Sequence, residues 1–517
     1  MPNRDSFINN IQQGYSFASP SIMLGAANFE GEIIKETQIS IPLKTLNRHG
    51  LISGATGSGK TKTLQILAEQ MSKYGIPSLL MDIKGDLSGI AMPESTNTKI
   101  AERSAQVGIP FAPEGNHVEF LTISDEAGTR LRATVSEFGP ALFSKILELN
   151  DTQSGLVSVI FKYCDDYRLP LLDLSDMKAV LQHITSDGKE QFAQEFGVVS
   201  TVSAGIILRK IIELEQQGAM KFFGEISFEV SDLVRQDENG NGIISIVRLT
   251  DIQDKPKLFS TYMLQMLAEI YSSFPEEGDL DKPKLAIFID EAHLVFQEAS
   301  KVLLSQIETI IKLIRSKGVG VYFITQNPTD IPDAVLSQLG LKVQHSLRAF
   351  TAKDRKNINL AAQNYPLTEY YDVAALITNL GIGEAIITAL NEKGIPTPLV
   401  HVMLRAPQSR MDILTDAEIS DICRYSLIAE KYNPTLNRTS AREILLGKLE
   451  SAAKPPAGEQ DTEPNTPQPD SRPTKPKDDW FGKVLKDPIT RRIGNTVARE
   501  ITRGILDVLG LGGRRRR

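Results

Sequence analysis

Residues 49–82, HGLISGATGSGKTKTLQILAEQMSKYGIPSLLMD, decide the fold. The run His49–Ser53 is apolar and reads as a strand. It enters Gly54-Ala55-Thr56-Gly57-Ser58-Gly59-Lys60-Thr61, which satisfies G-x-x-x-x-G-K-[ST] in full. Leu64, Leu67, Ala68 and Met71 follow at helical spacing, and Gly75-Ile76-Pro77 ends the helix. Ser78–Asp82 then reads as a buried strand. A strand, a glycine loop, a helix and a second strand predict a β-loop-α-β unit on a parallel sheet.

The residue types of the loop each have a physical reason. Glycines let the backbone come close to an anion, and successive N–H groups at a helix N-terminus face it. Lys60 offers a point charge to the outer phosphates, and Thr61 offers a hydroxyl to Mg²⁺. The stretch therefore predicts a site for ATP and Mg²⁺.

Further along, Leu285–Ile289 is an uninterrupted apolar strand followed by Asp290 and Glu291. In open α/β sheets ligands bind at the carboxyl ends of strands. Asp290 is the candidate to hold Mg²⁺ through water, and Glu291 the candidate to orient or deprotonate the attacking water. Tyr322–Asn327 is a third apolar strand with an uncharged polar end, where Gln326 is the candidate sensor of the terminal phosphate. Arg315, Arg348 and Arg355 lie near the ends of strand candidates, and each is a candidate cation for a neighbouring subunit's nucleotide. A surface ion pair is an equal reading for each arginine. Asp82, at the end of the second strand, either supports the magnesium site, lines a subunit interface or belongs to a simple turn.

Outward from these motifs, strands alternate with helices, the pattern of an α/β fold. His117–Ile123, Ile243–Leu249, Lys342–Leu347 and Glu384–Leu390 are further strand candidates. Residues 1–45 read as a short N-terminal segment with strand character at Glu32–Ile41. Residues 46–139 and 236–450 read as two parts of one ATPase core, with a helical insertion at 140–235 between them. Residues 451–479 are rich in proline and charge and read as a disordered linker.

Residues 480–517 form a basic amphipathic tail with ten Lys or Arg and three Asp or Glu. Its charge of +7 leaves −14 for the rest of a chain whose net charge is −7. Ile489, Ile493, Val497, Ile501, Ile505 and Val508 make one apolar stripe. That stripe docks on the core or another tail, lies on an anionic membrane surface, or leaves the arginines to grip phosphates; the sequence does not choose.

Composition bounds these readings. With 517 residues, 41% of them hydrophobic, the chain buries a large core. Its acidic balance excludes a chain-wide basic coat for nucleic acid. Two cysteines in so long a chain, no apolar signal segment and no run of about 18 apolar residues predict a cytoplasmic protein. The six histidines are scattered, with no metal-pair spacing.

Four stretches together resemble the HerA/FtsK group of ATPases, and more narrowly the bacterial HerA-like proteins of the YjgR type. They are RHGLISGATGSGKTKTL (48–64), MDIKGDLSG (81–89), LAIFIDEAHLVF (285–296) and IRSKGVGVYFITQNP (314–328). The resemblance covers roughly residues 20–450. It implies a RecA-like P-loop NTPase core, a hexameric ring with ATP between subunits, and translocation on double-stranded DNA. By position it carries over Lys60 and Thr61 as nucleotide and Mg²⁺ contacts, Asp290 and Glu291 as the acidic pair, Gln326 as the polar sensor and Arg315 as the cation across the interface. The chain departs from the group in having only about 45 residues before the core, where a β-barrel often stands, and in showing neither membrane spans nor a winged-helix DNA reader. A reading of a different class is a nucleotide-controlled scaffold with slow turnover that binds a protein partner through the tail.

Overall fold

The strand Gly50–Ser53 that feeds the glycine loop has four residues, all buried. It is shielded because it lies inside a 12-stranded sheet. The computed structural model describes residues 3–278, 280–297, 301–436 and 438–453. The proline-rich stretch beyond 453 and the basic tail lie outside the described residues.

In chain order the strands are β1 (Ser21–Phe29), β2 (Glu32–Pro42), β3 (Gly50–Ser53), β4 (Ser78–Asp82), β5 (Val118–Thr122) and β6 (Thr129–Arg130), followed by β7 (Ile244–Arg248), β8 (Leu285–Ile289), β9 (Val319–Thr325), β10 (Leu341–Gln344), β11 (Glu384–Thr388) and β12 (Val400–Leu404). They pair in the order β2-β1-β12-β11-β10-β3-β9-β8-β4-β7-β5-β6. From β10 to β6 every pairing is parallel, and from β2 to β10 every pairing is antiparallel. Both faces of the central strands are buried, so β4, β8 and β9 read as continuous apolar runs without alternation. The fold is α/β with a RecA-like, mainly parallel core.

The antiparallel flank extends the expectation from sequence. Residues 1–45 carry a helix and a hairpin as well as the strand expected at Glu32–Ile41. Arg4–Gly14 is a helix, and β1 and β2 form a hairpin that β12 joins to the main sheet. Gly25 in β1 is required by close approach, since a Cβ there would meet the Met403 carbonyl oxygen at 2.0 Å. The helix buries Phe7, whose ring stacks on Phe29 of β1 with centroids 4.7 Å apart. Both belong to the core cluster that also contains Ile52 and Leu67 beside the glycine loop.

The described chain divides into two compact units. One comprises residues 1–134, 145–149 and 210–436 and holds the sheet. The other comprises 135–144, 150–209 and the described residues from 438 onward, and is helical. Its helices include Asp151–Tyr167, Leu174–Thr185 and Lys189–Phe196. The helix Ala441–Ala453 also belongs to this unit, with the Ala441 N–H bonded to the Pro170 carbonyl at 2.9 Å.

His49, immediately before β3, is a structural histidine. Its Nδ1 accepts from the Val321 N–H at 3.0 Å, and Nε2 stands 2.9 Å from the Ile311 carbonyl. Nε2 therefore carries the proton, and burial pushes the ring pKa down to about 4. The unfolded ring titrates near its ordinary value of about 6.5, so below that pH the unfolded chain binds a proton that the folded chain refuses. This stabilising contribution is complete above about pH 6.5 and is lost as the pH falls toward 4. Lowering the pH from 7.5 to 5 should therefore cost wild type about 2 kcal/mol more than His49→Gln. Chemical denaturation of both proteins at the two pH values checks this.

Candidate active site

The carboxyl ends of four adjacent parallel strands, β3, β9, β8 and β4, lie side by side along one edge of the sheet. Each delivers one of the motifs. The glycine loop leaves β3, Gln326 follows β9, Asp290 and Glu291 follow β8, and Asp82–Asp86 starts at the end of β4. Backbone bonds stitch these ends together: the Gly54 N–H donates to the Thr325 carbonyl at 3.2 Å, and the Ala292 N–H to the Ile324 carbonyl at 2.9 Å.

The loop has a backbone that glycine alone adopts readily. Gly54, Gly57 and Gly59 have φ of 154°, 78° and 115°, values that L side chains rarely adopt. At Gly54 a Cβ would also lie 2.5 Å from the His345 Cβ beneath the loop. His345 bonds through Nε2 to the Thr63 hydroxyl at 2.8 Å, and burial holds its pKa near 4, so it adds no charge there. From the side, the Gly383 N–H bonds the Ser58 carbonyl at 3.2 Å. The helix Lys60–Lys73 starts directly from the loop with Gly59 as its N-cap.

Lys60 is 6% exposed, and its ammonium folds back on its own loop, donating to the Gly54 and Ala55 carbonyls at 2.7 and 3.1 Å. Burial lowers its pKa, and the nearby Lys84 charge lowers it further against the carboxylates of Glu291, Asp290 and Asp86. Thr61 donates to the Asp86 carboxylate at 3.2 Å.

Asp290 and Glu291 are each 4% exposed. The Asp290 Oδ2 has no hydrogen-bond partner among the described residues, and burial pushes the carboxyl pKa up to about 7, helped by the charges of Glu291 and Asp86. A buried, unsatisfied carboxyl at a strand end fits a Mg²⁺ site, because a cation would restore its charged form. No cluster of three or more His, Cys, Asp or Glu forms a metal cage among the described residues.

Glu291 has φ of 47°, uncommon for a residue other than glycine and typical of strained functional positions. One of its oxygens is in ion-pair contact with the Lys84 ammonium, and the other lies 2.9 Å from Nδ1 of His293. Asp82 is the anchor beneath Lys84. Its carboxylate accepts the N–H groups of Gly85, Asp86 and Leu87 at 2.7, 3.2 and 3.2 Å, and burial pushes its pKa up to about 6.

Lys84 and His293 are the residues that sequence reasoning passed over. The MDIKGD run was visible, but pairing its lysine with Glu291 requires knowing that β4 lies next to β8. Gln326 is half-buried at the end of β9. Arg315 is not brought to this edge. It sits in the turn Arg315–Lys317 before β9, at the opposite end of a seven-residue strand, about 20 Å away at strand rise. Arg348 follows Ser346, whose carbonyl accepts the Ala55 N–H at 2.8 Å, and so lies on the loop's side of the sheet.

A parallel sheet carrying a glycine loop, a lysine, a threonine and an acidic pair at adjacent strand ends defines a P-loop NTPase. The chain belongs to the HerA-like C-terminal helicase family, whose model matches residues 29–517. It is similar to the DNA double-strand break repair helicase HerA of Sulfolobus acidocaldarius, at 23% identity over 71% of this chain and 67% of that protein. It is also similar to the protein of the same name from Saccharolobus solfataricus, at 22% identity over 68% of this chain and 64% of the relative. The chain thus spans about two thirds of these relatives' length. Among solved structures, the plasmid coupling protein TrwB in complex with a non-hydrolysable GTP analogue shares the fold, with a TM-score of 0.51 and 15% identity over 78% of this chain and 95% of that one. No described helix is long and apolar enough to cross a membrane.

Proposed function

We propose that this protein is an ATP-hydrolysing motor that acts on double-stranded DNA and assembles as a homo-oligomeric ring, with six subunits the expected number. The observation that carries the enzymatic half is the buried Glu291 held beside the phosphate loop, since a pure nucleotide-binding scaffold has no need of a water-activating carboxylate there. The DNA half is supported by membership in a helicase family and by relatives named as DNA repair helicases.

In this reading the amides of Gly54–Thr61 and the Lys60 ammonium bind the phosphates of ATP, and Lys60 gives up its bonds to Gly54 and Ala55 to do so. Thr61 and Asp290 hold Mg²⁺, which supplies charge neutralisation on the phosphates. Glu291 takes the proton of the attacking water. Gln326, standing between the loop and the acidic pair, reports the loss of the terminal phosphate to β9.

Arg315, at the other end of β9 from its own chain's site, acts in trans on a neighbouring subunit. Arg315→Ala should lower turnover about 10³-fold without changing stability. Mixing it with Lys60→Ala subunits should restore part of the activity, because some interfaces then combine an intact loop with an intact arginine. Steady-state hydrolysis across mixing ratios checks this, and no restoration at any ratio counts against the trans role.

The test of the motor is displacement of the third strand from a DNA triplex. ATP should drive displacement and ADP should not. Equal displacement with both nucleotides, or none with ATP under conditions where ATP is hydrolysed, would remove DNA translocation from the account.

A further inference from the structure

We infer that Lys84 makes this site respond to the terminal phosphate: its ammonium pairs with Glu291 and exchanges that carboxylate for the γ-phosphate of a bound nucleoside triphosphate. The inference rests on the reading of Gly54–Thr61 as the phosphate-binding loop.

Three features of the structure carry it. The first is the ion pair itself. The Glu291 side chain is 5% exposed and fixed at a strand end, whereas the Lys84 side chain is 37% exposed, so the lysine is the partner free to move. The second is the base from which it moves. The Asp82 carboxylate clamps the backbone of Gly85, Asp86 and Leu87, and Gly85 turns the chain with φ of 76°. A rigid turn beneath a flexible four-carbon stem lets the ammonium swing while the loop stays in place. The third is the company it keeps. Lys84 and Lys60 act on the same three carboxylates, Asp86, Asp290 and Glu291, and the Lys84 charge is felt at Lys60. A phosphate chain drawn in by Lys60 therefore lies within the field of Lys84.

The exchange gives the ion pair a use. While the Lys84 ammonium rests on it, the Glu291 carboxylate is occupied and not open to an attacking water. A terminal phosphate carries more charge than a carboxylate and offers three acceptor oxygens. It draws the ammonium off and leaves Glu291 free to take a proton from water. A diphosphate has no such group, so the pair persists.

The test measures equilibrium affinity for ADP and for a non-hydrolysable ATP analogue, both with Mg²⁺, in wild type, Lys84→Met and Lys84→Arg. Lys84→Met should weaken analogue binding about tenfold while ADP binding stays within about threefold, and Lys84→Arg should retain most of the difference. Equal weakening of both ligands would assign Lys84 a structural role and overturn the inference, as would no change in either. Wild type that binds neither nucleotide would overturn the phosphate-loop reading itself, whereas wild type that binds both and an unchanged Lys84→Met would overturn the Lys84 assignment alone.

Discussion

Lys60→Ala should weaken binding of Mg-ATP about 100-fold while leaving the fold intact. The ammonium makes two hydrogen bonds to its own loop, to Gly54 and Ala55, and both are replaced by contacts to phosphate oxygens when nucleotide binds. Each charge-assisted hydrogen bond contributes about 1.5–3 kcal/mol, and two at the lower bound correspond to about 100-fold in affinity. Truncation also removes a buried charge whose desolvation already lowers its pKa, so the apoprotein loses little. Titration with a fluorescent nucleotide measures the affinity, and thermal unfolding of the same sample shows whether the fold survives. Unchanged affinity in a folded variant would remove the phosphate-binding role from the loop.

Glu291→Gln should separate binding from turnover. Glutamine keeps the size and polarity of the side chain but accepts no proton, so general-base assistance worth about 10²–10⁴-fold in rate is lost. Affinity for ATP should hold or rise, because a negative charge near the phosphates disappears. The strained φ of 47° at this position is unaffected by the change, which leaves the backbone after β8 where it was. Rapid-quench measurement of a single turnover, with nucleotide binding measured in parallel, checks both halves. A variant that hydrolyses at the wild-type rate would place the proton acceptor elsewhere.

The core of the fold was legible because its strands are buried on both faces. The apolar runs Leu79–Met81, Leu285–Ile289 and Val321–Ile324 show no helical or alternating period, and the glycine loop marks the carboxyl end of the strand Gly50–Ser53 that feeds it. β1 was not legible for the opposite reason. Its centre, Gly25-Ala26-Ala27-Asn28, has low strand propensity, and its burial is nearly continuous, so no alternation marks it. Only β12, arriving about 375 residues later with its Met403 carbonyl against Gly25, shows why small residues stand there.

The candidate site divides along the same line. Lys60, Thr61, Asp290 and Glu291 declare their chemistry through residue type and immediate context. Lys84 and His293 do not, because what matters about them is the neighbour that the order β9-β8-β4 supplies. Arg315 shows the reverse case. Its proximity in sequence to the sensor strand implies nearness to Gln326, but seven residues of extended chain put the two at opposite ends of β9.

The most direct test of the central claim is ATP hydrolysis by the purified protein with and without linear duplex DNA, using Lys60→Ala as the control. The account predicts Mg²⁺-dependent hydrolysis that Lys60→Ala abolishes and that duplex DNA stimulates, with the stimulation fading as salt rises. Hydrolysis that persists in Lys60→Ala, or none in wild type with or without DNA, would contradict it.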